Sequence, residues 1–131
     1  MENTMIKTQR YGVEIEMTGI TRAKAAEIVA KTINGRTSSP ECNCYHTRKI
    51  TAPDGRVWKV MRDSSIDPVR NDGTQEYIDE YKVELVTPIM KYEDIETIQT
   101  IIRNLRAAGA KSHRSCGIHI HVDGKDHTGK S

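Results

Sequence analysis

Apolar and polar residues alternate with a period of two in several stretches of the chain and recur every three or four residues in two others. Tyr11-Gly-Val-Glu-Ile-Glu-Met17 puts Tyr11, Val13, Ile15 and Met17 on one face and Glu14 and Glu16 on the other, the pattern of a half-buried strand. The stretch 117–122, Gly-Ile-His-Ile-His-Val, repeats the design: Ile118, Ile120 and Val122 share a face opposite His119 and His121. A third, longer strand is expected over 77–87, closed by Pro88, with Glu84 on its polar side. Between these, Ala25, Val29 and Ile33 recur every four residues, predicting a helix capped by Thr21, running to about residue 34 and ended by Gly35. A second helix is expected over 92–108, with Ile95, Ile98, Ile101, Ile102 and Leu105 on one side and Gly109 as its stop. Pro53-Asp54-Gly55 joins two further strands, 45–51 and 56–62, as a hairpin. Residues 36–43 read as a loop and 63–76 as irregular. The order strand, helix, hairpin, strand, helix, strand predicts an α+β fold: a mainly antiparallel sheet with helices packed on one face.

Composition narrows this picture. A chain of 131 residues is at most one ordinary domain, long enough to bury a core, and with no Phe and one Trp that core must be aliphatic. A net charge of +2, with basic residues scattered along the chain, argues against a nucleic-acid partner. No apolar run has the length of a membrane span and MENTMIKTQR has no secretory h-region, so no membrane partner and a cytoplasmic location are expected. Cys42, Cys44 and Cys116 lack the spacing of a disulfide framework and are read as reduced thiols.

Chemistry enters through the polar faces. Side chains at i and i+2 on a strand lie roughly 6.5–7 Å apart along the backbone, so Glu14 and Glu16 can converge on one cation or serve two ions about 3.5–4 Å apart. Oxygen ligands with one or two imidazoles suit Mg²⁺ or Mn²⁺ better than a closed zinc site. Alternating glutamates are also what any solvated sheet face carries, and an isolated His is usually a surface residue. The recurrence of the pattern on three strands is what favours a site.

Four segments in order, YGVEIEM (11–17), DSSI (63–66), VELVTPI (83–89) and CGIHIHVDG (116–124), resemble the successive motifs of the amidoligase family, which is grouped with the glutamine-synthetase-like carboxylate–amine ligases. The resemblance covers nearly the whole chain. It implies half of a glutamine-synthetase-like catalytic domain, and an ATP- and Mg²⁺-dependent (or Mn²⁺-dependent) enzyme that joins a carboxylate to an amine through an acyl phosphate. It also implies roles: Glu14, Glu16, Glu84 and His119 as metal ligands, with Glu84 a metal or substrate ligand; His121 as a contact to nucleotide phosphate or substrate; Asp63 and Ser64 as a segment beside the substrate. Carboxylate and amine substrates, peptides and cell-wall precursors among them, are the implied partners, and an open sheet edge could pair with a second copy. Family members continue beyond the His-x-His strand, so 1–131 is expected to be the N-terminal part of such a domain, incomplete and inactive alone, with flexible ends at 1–7 and 124–131. Four competing readings stand beside this one, the first a non-catalytic domain that keeps the fold without turnover. Gly124-Lys-Asp-His-Thr-Gly-Lys-Ser131 fits G-x-x-x-x-G-K-S, but a phosphate-binding loop needs a helix after it. Cys42-x-Cys44-x-His46 offers zinc ligands at tighter spacing than structural zinc motifs use. A metal-dependent hydrolase could use the same His-x-His and carboxylates to activate water.

Overall fold

The structure is a computed structural model that describes residues 9–69, 78–112 and 115–122. The expected flexible ends, the G-x-x-x-x-G-K-S stretch and residue 77 at the start of the expected long strand lie outside the described residues. Six strands and two helices follow one another as β1 (Tyr11–Met17), α1 (Arg22–Ile33), β2 (Arg36–Thr37), β3 (Arg48–Thr51), β4 (Val57–Met61), β5 (Val83–Val86), α2 (Ile95–Ala107) and β6 (Ile118–Val122). Short 3₁₀ turns occupy Asp79–Tyr81 and Tyr92–Asp94. The strands form one sheet in the order β2-β3-β4-β5-β1-β6 with every pair antiparallel, and both helices pack on one face, as the α+β expectation has it.

The core explains why this face is chosen. Val13, Ile15 and Met17 from β1, Ile50 from β3, Trp58 and Val60 from β4, and Val83 and Leu85 from β5 are all buried. They meet Ala25, Ala26 and Val29 of α1 and Ile98, Ile101 and Leu105 of α2 in one cluster. Period two on the strands and a period of three to four on the helices are the same fact seen from two sides: each element has one apolar surface to hide. β6 is the exception. Ile118 and Ile120, each 63% exposed, lie in register with Ile15 and Val13, on the helix side of the sheet, but neither helix extends over this edge.

Several local signals act as read. The hydroxyl of Thr21 accepts the Lys24 N–H at 3.1 Å, capping α1. The Ala52–Arg56 turn closes the hairpin with Gly55 at φ 90°. The turn is then tied across the molecule: Arg56 donates to both carboxylate oxygens of Asp94, at 2.9 and 3.0 Å, and Asp94 also accepts the Lys91 N–H at 2.8 Å ahead of α2.

Other boundaries move, for identifiable reasons. The expected strand 77–87 shrinks to Val83–Val86, because the segment before it folds into a 3₁₀ turn around the buried Arg22. Arg22 donates to the carbonyls of Asp79 and Lys82, at 2.8 and 2.9 Å, while Arg62 donates to the Asp79 carboxylate at 2.8 Å. The residue that ends α1 in the left-handed region is Asn34, at φ 58°, rather than Gly35. Gly35 serves a different need, since a Cβ there would stand 2.8 Å from the Thr51 carbonyl oxygen. Part of the expected 36–43 loop is the edge strand β2, paired with β3. β3 itself starts at Arg48, later than expected, because residues 41–47 close on themselves through Glu41 N–H to Thr47 O, with His46 at φ 49°.

Candidate functional site

The face of the sheet away from the helices carries the polar half of each alternation. Register brings Glu16 opposite Glu84, Glu14 opposite Val86 and, on the other flank, Glu14 opposite His119 and Gly12 opposite His121. Directly opposed side chains on an antiparallel pair stand about 4.5–5.5 Å apart at Cβ, so these groups share one surface. His119 Nδ1 lies 3.9 Å and His121 Nε2 3.5 Å from the two carboxylate oxygens of Glu14. A Cβ added at Gly117 would lie 3.6 Å from His119 Nε2 and 3.7 Å from Glu16 Oε1, so the His119 ring reaches toward both glutamates of β1.

Asp63 joins from outside the sheet. Ile66, fully buried, pins its segment, and the Thr18 hydroxyl exchanges hydrogen bonds with the Val69 carbonyl and N–H at 3.2 and 2.9 Å. Asp63 accepts from the Ser65 N–H and hydroxyl at 2.9 and 2.7 Å, a local turn that aims the carboxylate at Glu16. The segment before β6 is held by the Gly117 N–H, which donates to Glu16 at 2.8 Å, and by the Ser115 hydroxyl, which accepts the Asp67 N–H at 2.8 Å.

This crowding disturbs the proton affinities. Burial, then repulsion from Asp63, Glu14 and Glu16 and a hydrogen bond with Glu14, pushes the Glu84 carboxyl up to about 7. Burial and the hydrogen bond to Asp63 also raise Glu16, against the Gly117 N–H that holds it down. Asp63 moves the other way: burial raises it, but hydrogen bonds from Glu16 and Ser65 outweigh that and leave it below the usual carboxylate range. Burial and neighbouring carboxylates favour the protonated form of Glu84 and Glu16, because no positive charge offsets them among the described residues. Among the described residues no lysine or arginine forms an ion pair with any of these four carboxylates.

The structure thus brings Glu14, Glu16, Glu84, Asp63, His119 and His121 to one side of the sheet. Ser64 sits exposed in the Asp63 turn without a hydrogen bond to the cluster, and Ser65 supplies the contacts instead. Sequence reasoning missed Ser65, Gly117 and Gly12. Gly12 occupies an outward position on β1 where a Cβ would meet nothing within 4 Å, so packing gives no reason for glycine there. Its effect is a bare patch of sheet beside His121, whose ring reaches across to Glu14. Cys42 and Cys44 are exposed, and no disulfide joins the three cysteines. Among the described residues no three His, Cys, Asp or Glu side chains are gathered tightly enough to enclose a metal ion unaided. The arrangement is an open face of donors, which fits a cation that keeps part of its water shell and shares its coordination with a substrate, as Mg²⁺ does.

A shallow cleft of about 370 Å³ between the helices, lined by Lys24, Ile28 and Asn104 among others, lies on the opposite layer. No described helix is long and apolar enough to cross a membrane. In comparisons with known proteins, the family model described as "Putative amidoligase enzyme" matches residues 7–131. No curated protein and no solved structure matches the chain.

Proposed function

The chain belongs to the amidoligase family, a family of ligases, and from that premise we propose that its open sheet face binds Mg²⁺ (or Mn²⁺) with ATP to join a carboxylate to an amine. One observation carries this reading: four carboxylates from β1, β5 and the 63–66 turn stand side by side, flanked by two imidazoles, and among the described residues no lysine or arginine pairs with them. A cluster built this way costs stability when empty of cations, and its donor set is oxygen-rich, which selects a hard divalent ion.

Glu14, Glu16, Glu84 and His119 would hold the ion or ions. His121, at the outer end of the same strand face, would contact a phosphate or the substrate. Asp63 holds Glu16 in place through their hydrogen bond, which a bound cation would replace. When bound, Mg²⁺ and ATP would supply the activating chemistry, a γ-phosphoryl group passed to the substrate carboxylate with release of ADP; the amine would then displace phosphate, forming the amide and losing its proton to the released phosphate or to solvent. For this the chain needs no nucleophile of its own. Its residues neutralise charge and orient the carboxylate against the phosphate chain, and a proton held by Glu84 passes to solvent as the cation binds.

Calorimetric titration of the chain with ATP, with and without Mg²⁺, tests the reading. Binding is expected only with the metal, and its loss is expected in Glu14→Gln and Glu16→Gln. Nucleotide binding indifferent to the metal, or no binding at all, would refute it. Metal binding untouched by nucleotide would point instead to a hydrolase or a metal-binding domain without ligase activity.

A further inference from the structure

The open face is not acidic throughout. Register runs one straight line across five strands: Lys49 opposite Lys59, Lys59 opposite Val86, Val86 opposite Glu14, and Glu14 opposite His119. On the neighbouring line Met61 faces Glu84, and Glu84 faces Glu16. Strands are about 4.8 Å apart, so the Lys59 and Glu14 backbones are separated by roughly 10 Å, with Val86 between them.

Like charges therefore face each other twice on this surface, two lysines on β3 and β4 and two glutamates on β5 and β1. Directly opposed like charges weaken an antiparallel pair, and interleaving the same residues would have made ion pairs. Lys49 is answered in part by Glu41, at 3.1 Å. Lys59 is exposed and makes no ion pair among the described residues, although Trp58 and Val60 on either side of it are buried and fix its outward direction. The face has two poles, a carboxylate–imidazole pole and a lysine pole, separated by the apolar Val86 and Met61.

We infer that Lys59, supported by Lys49, binds an anionic oxygen group of a ligand whose cation-bound part rests on Glu14, Glu16 and Glu84. The inference rests on the function proposed above and adds to it a second half of the site, on strands that the metal ligands do not occupy. A lysine ammonium on its flexible stem is a point charge suited to phosphate or carboxylate oxygens without a fixed fork geometry. Two parts of the reacting pair carry such oxygens, the phosphate chain of the nucleotide and the carboxylate substrate.

The experiment separates these sources and separates this inference from the reading beneath it. Wild type, Lys59→Ala, Lys59→Glu and Lys59→Arg are titrated with Mn²⁺ alone, with Mg²⁺·ATP, with Mg²⁺·tripolyphosphate, and with glutarate in the presence of Mg²⁺ and a non-hydrolysable ATP analogue. Because Lys59 is exposed, the variants should melt close to wild type and bind Mn²⁺ alone as wild type does. If Lys59 holds the phosphate chain, Lys59→Ala weakens Mg²⁺·ATP and Mg²⁺·tripolyphosphate by roughly 10- to 100-fold, the scale of a hydrogen bond between charged groups. If it holds the carboxylate substrate, only glutarate binding weakens. In either case Lys59→Glu is worse and Lys59→Arg largely restores binding. Wild-type affinities for every probe in Lys59→Ala and Lys59→Glu would overturn the inference and leave the metal site standing. A wild-type chain that binds neither Mn²⁺ nor Mg²⁺·ATP would overturn both.

Discussion

Replacing Glu84 by Gln should make the metal-free protein more stable at alkaline pH, an unusual outcome for a half-buried polar residue in a sheet. The Glu84 carboxyl is raised from 4.5 to about 7, first by burial and then by Asp63, Glu14 and Glu16. A raised carboxyl means that the folded state holds this proton more tightly than the unfolded chain does. The contribution of the group to stability is therefore fully present below about pH 4.5 and lost as pH rises through about 7. Each pKa unit corresponds to about 1.4 kcal/mol, but the group is partly open to solvent, and after screening a penalty of about 1–2 kcal/mol near pH 8 is reasonable. Glutamine mimics the protonated form, keeps a donor for Glu14 and removes that penalty. Near pH 8 the variant should be more stable by the same amount, a rise in Tm of roughly 3–8 °C for a domain of this size. Near pH 5 the difference should almost vanish. Millimolar Mg²⁺ should raise the stability of wild type at pH 8 and leave the variant nearly unchanged. Urea and thermal unfolding followed by circular dichroism, at both pH values with and without Mg²⁺, gives all four numbers. A variant equal to or less stable than wild type near pH 8, or stabilised by Mg²⁺ as strongly as wild type, would show that repulsion among the carboxylates is not what the site holds in reserve.

Three more outcomes follow from named contacts. Gly12→Val adds a Cβ that meets nothing and raises strand propensity, so stability should hold or rise by up to about 1 kcal/mol, while Mg²⁺·ATP binding measured by calorimetry falls because the bare patch beside His121 is filled. Asp94→Ala removes the paired hydrogen bonds from Arg56 and the one from Lys91 N–H, and should cost about 1–2 kcal/mol by urea unfolding. Asp94 is held below its ordinary value, by the Arg56 hydrogen bonds first, so its contribution is present above about pH 4 and lost as pH falls through the depressed value; the variant and wild type should converge in acid. Gly19→Ala forces a Cβ to within 2.5 Å of the Gly109 carbonyl at φ 83°, and a loss of about 2 kcal/mol or more should appear as a lowered Tm.

The parts of the fold that sequence made legible are those governed by local periodicity. β1, β6, both helices and the Pro53-Asp54-Gly55 hairpin follow from alternation, stripes and turn chemistry, each of which is decided within a few residues. The 3₁₀ turn at Asp79–Tyr81 was not legible because its cause is Arg22, 57 residues away, whose guanidinium collects carbonyls that would otherwise join a strand. The site divides along the same line. Glu14 with Glu16 and His119 with His121 could be paired from their own strands. That Glu84 stands opposite Glu16, and that Asp63 reaches Glu16 from an irregular segment, depend on strand order and on the anchoring of Ile66, which no local pattern states. Lys59 escaped notice because a lone lysine on a hairpin strand carries no signal until its neighbours across the sheet are known.

That dependence on register also explains how the sheet tolerates its own charge pattern. Repulsion at Glu84 and between Lys49 and Lys59 could be relieved if β1 or β4 slipped by one residue, since a slip turns every side chain to the other face. For β1 the slip would expose Val13, Ile15 and Met17, all buried, and push Glu14 and Glu16 among the helices. Burying three such side chains stabilises by roughly 5–9 kcal/mol, several times the penalty assigned to Glu84. The hydrophobic face wins by that margin, and in winning it fixes the direction of every group on the opposite face. Like charges can be held together here because the register that holds them is set elsewhere, by Val13, Ile15, Met17, Trp58 and Val60 against the helices. Substitutions that loosen those five contacts should therefore degrade metal binding before they unfold the domain, although none of the five touches the site.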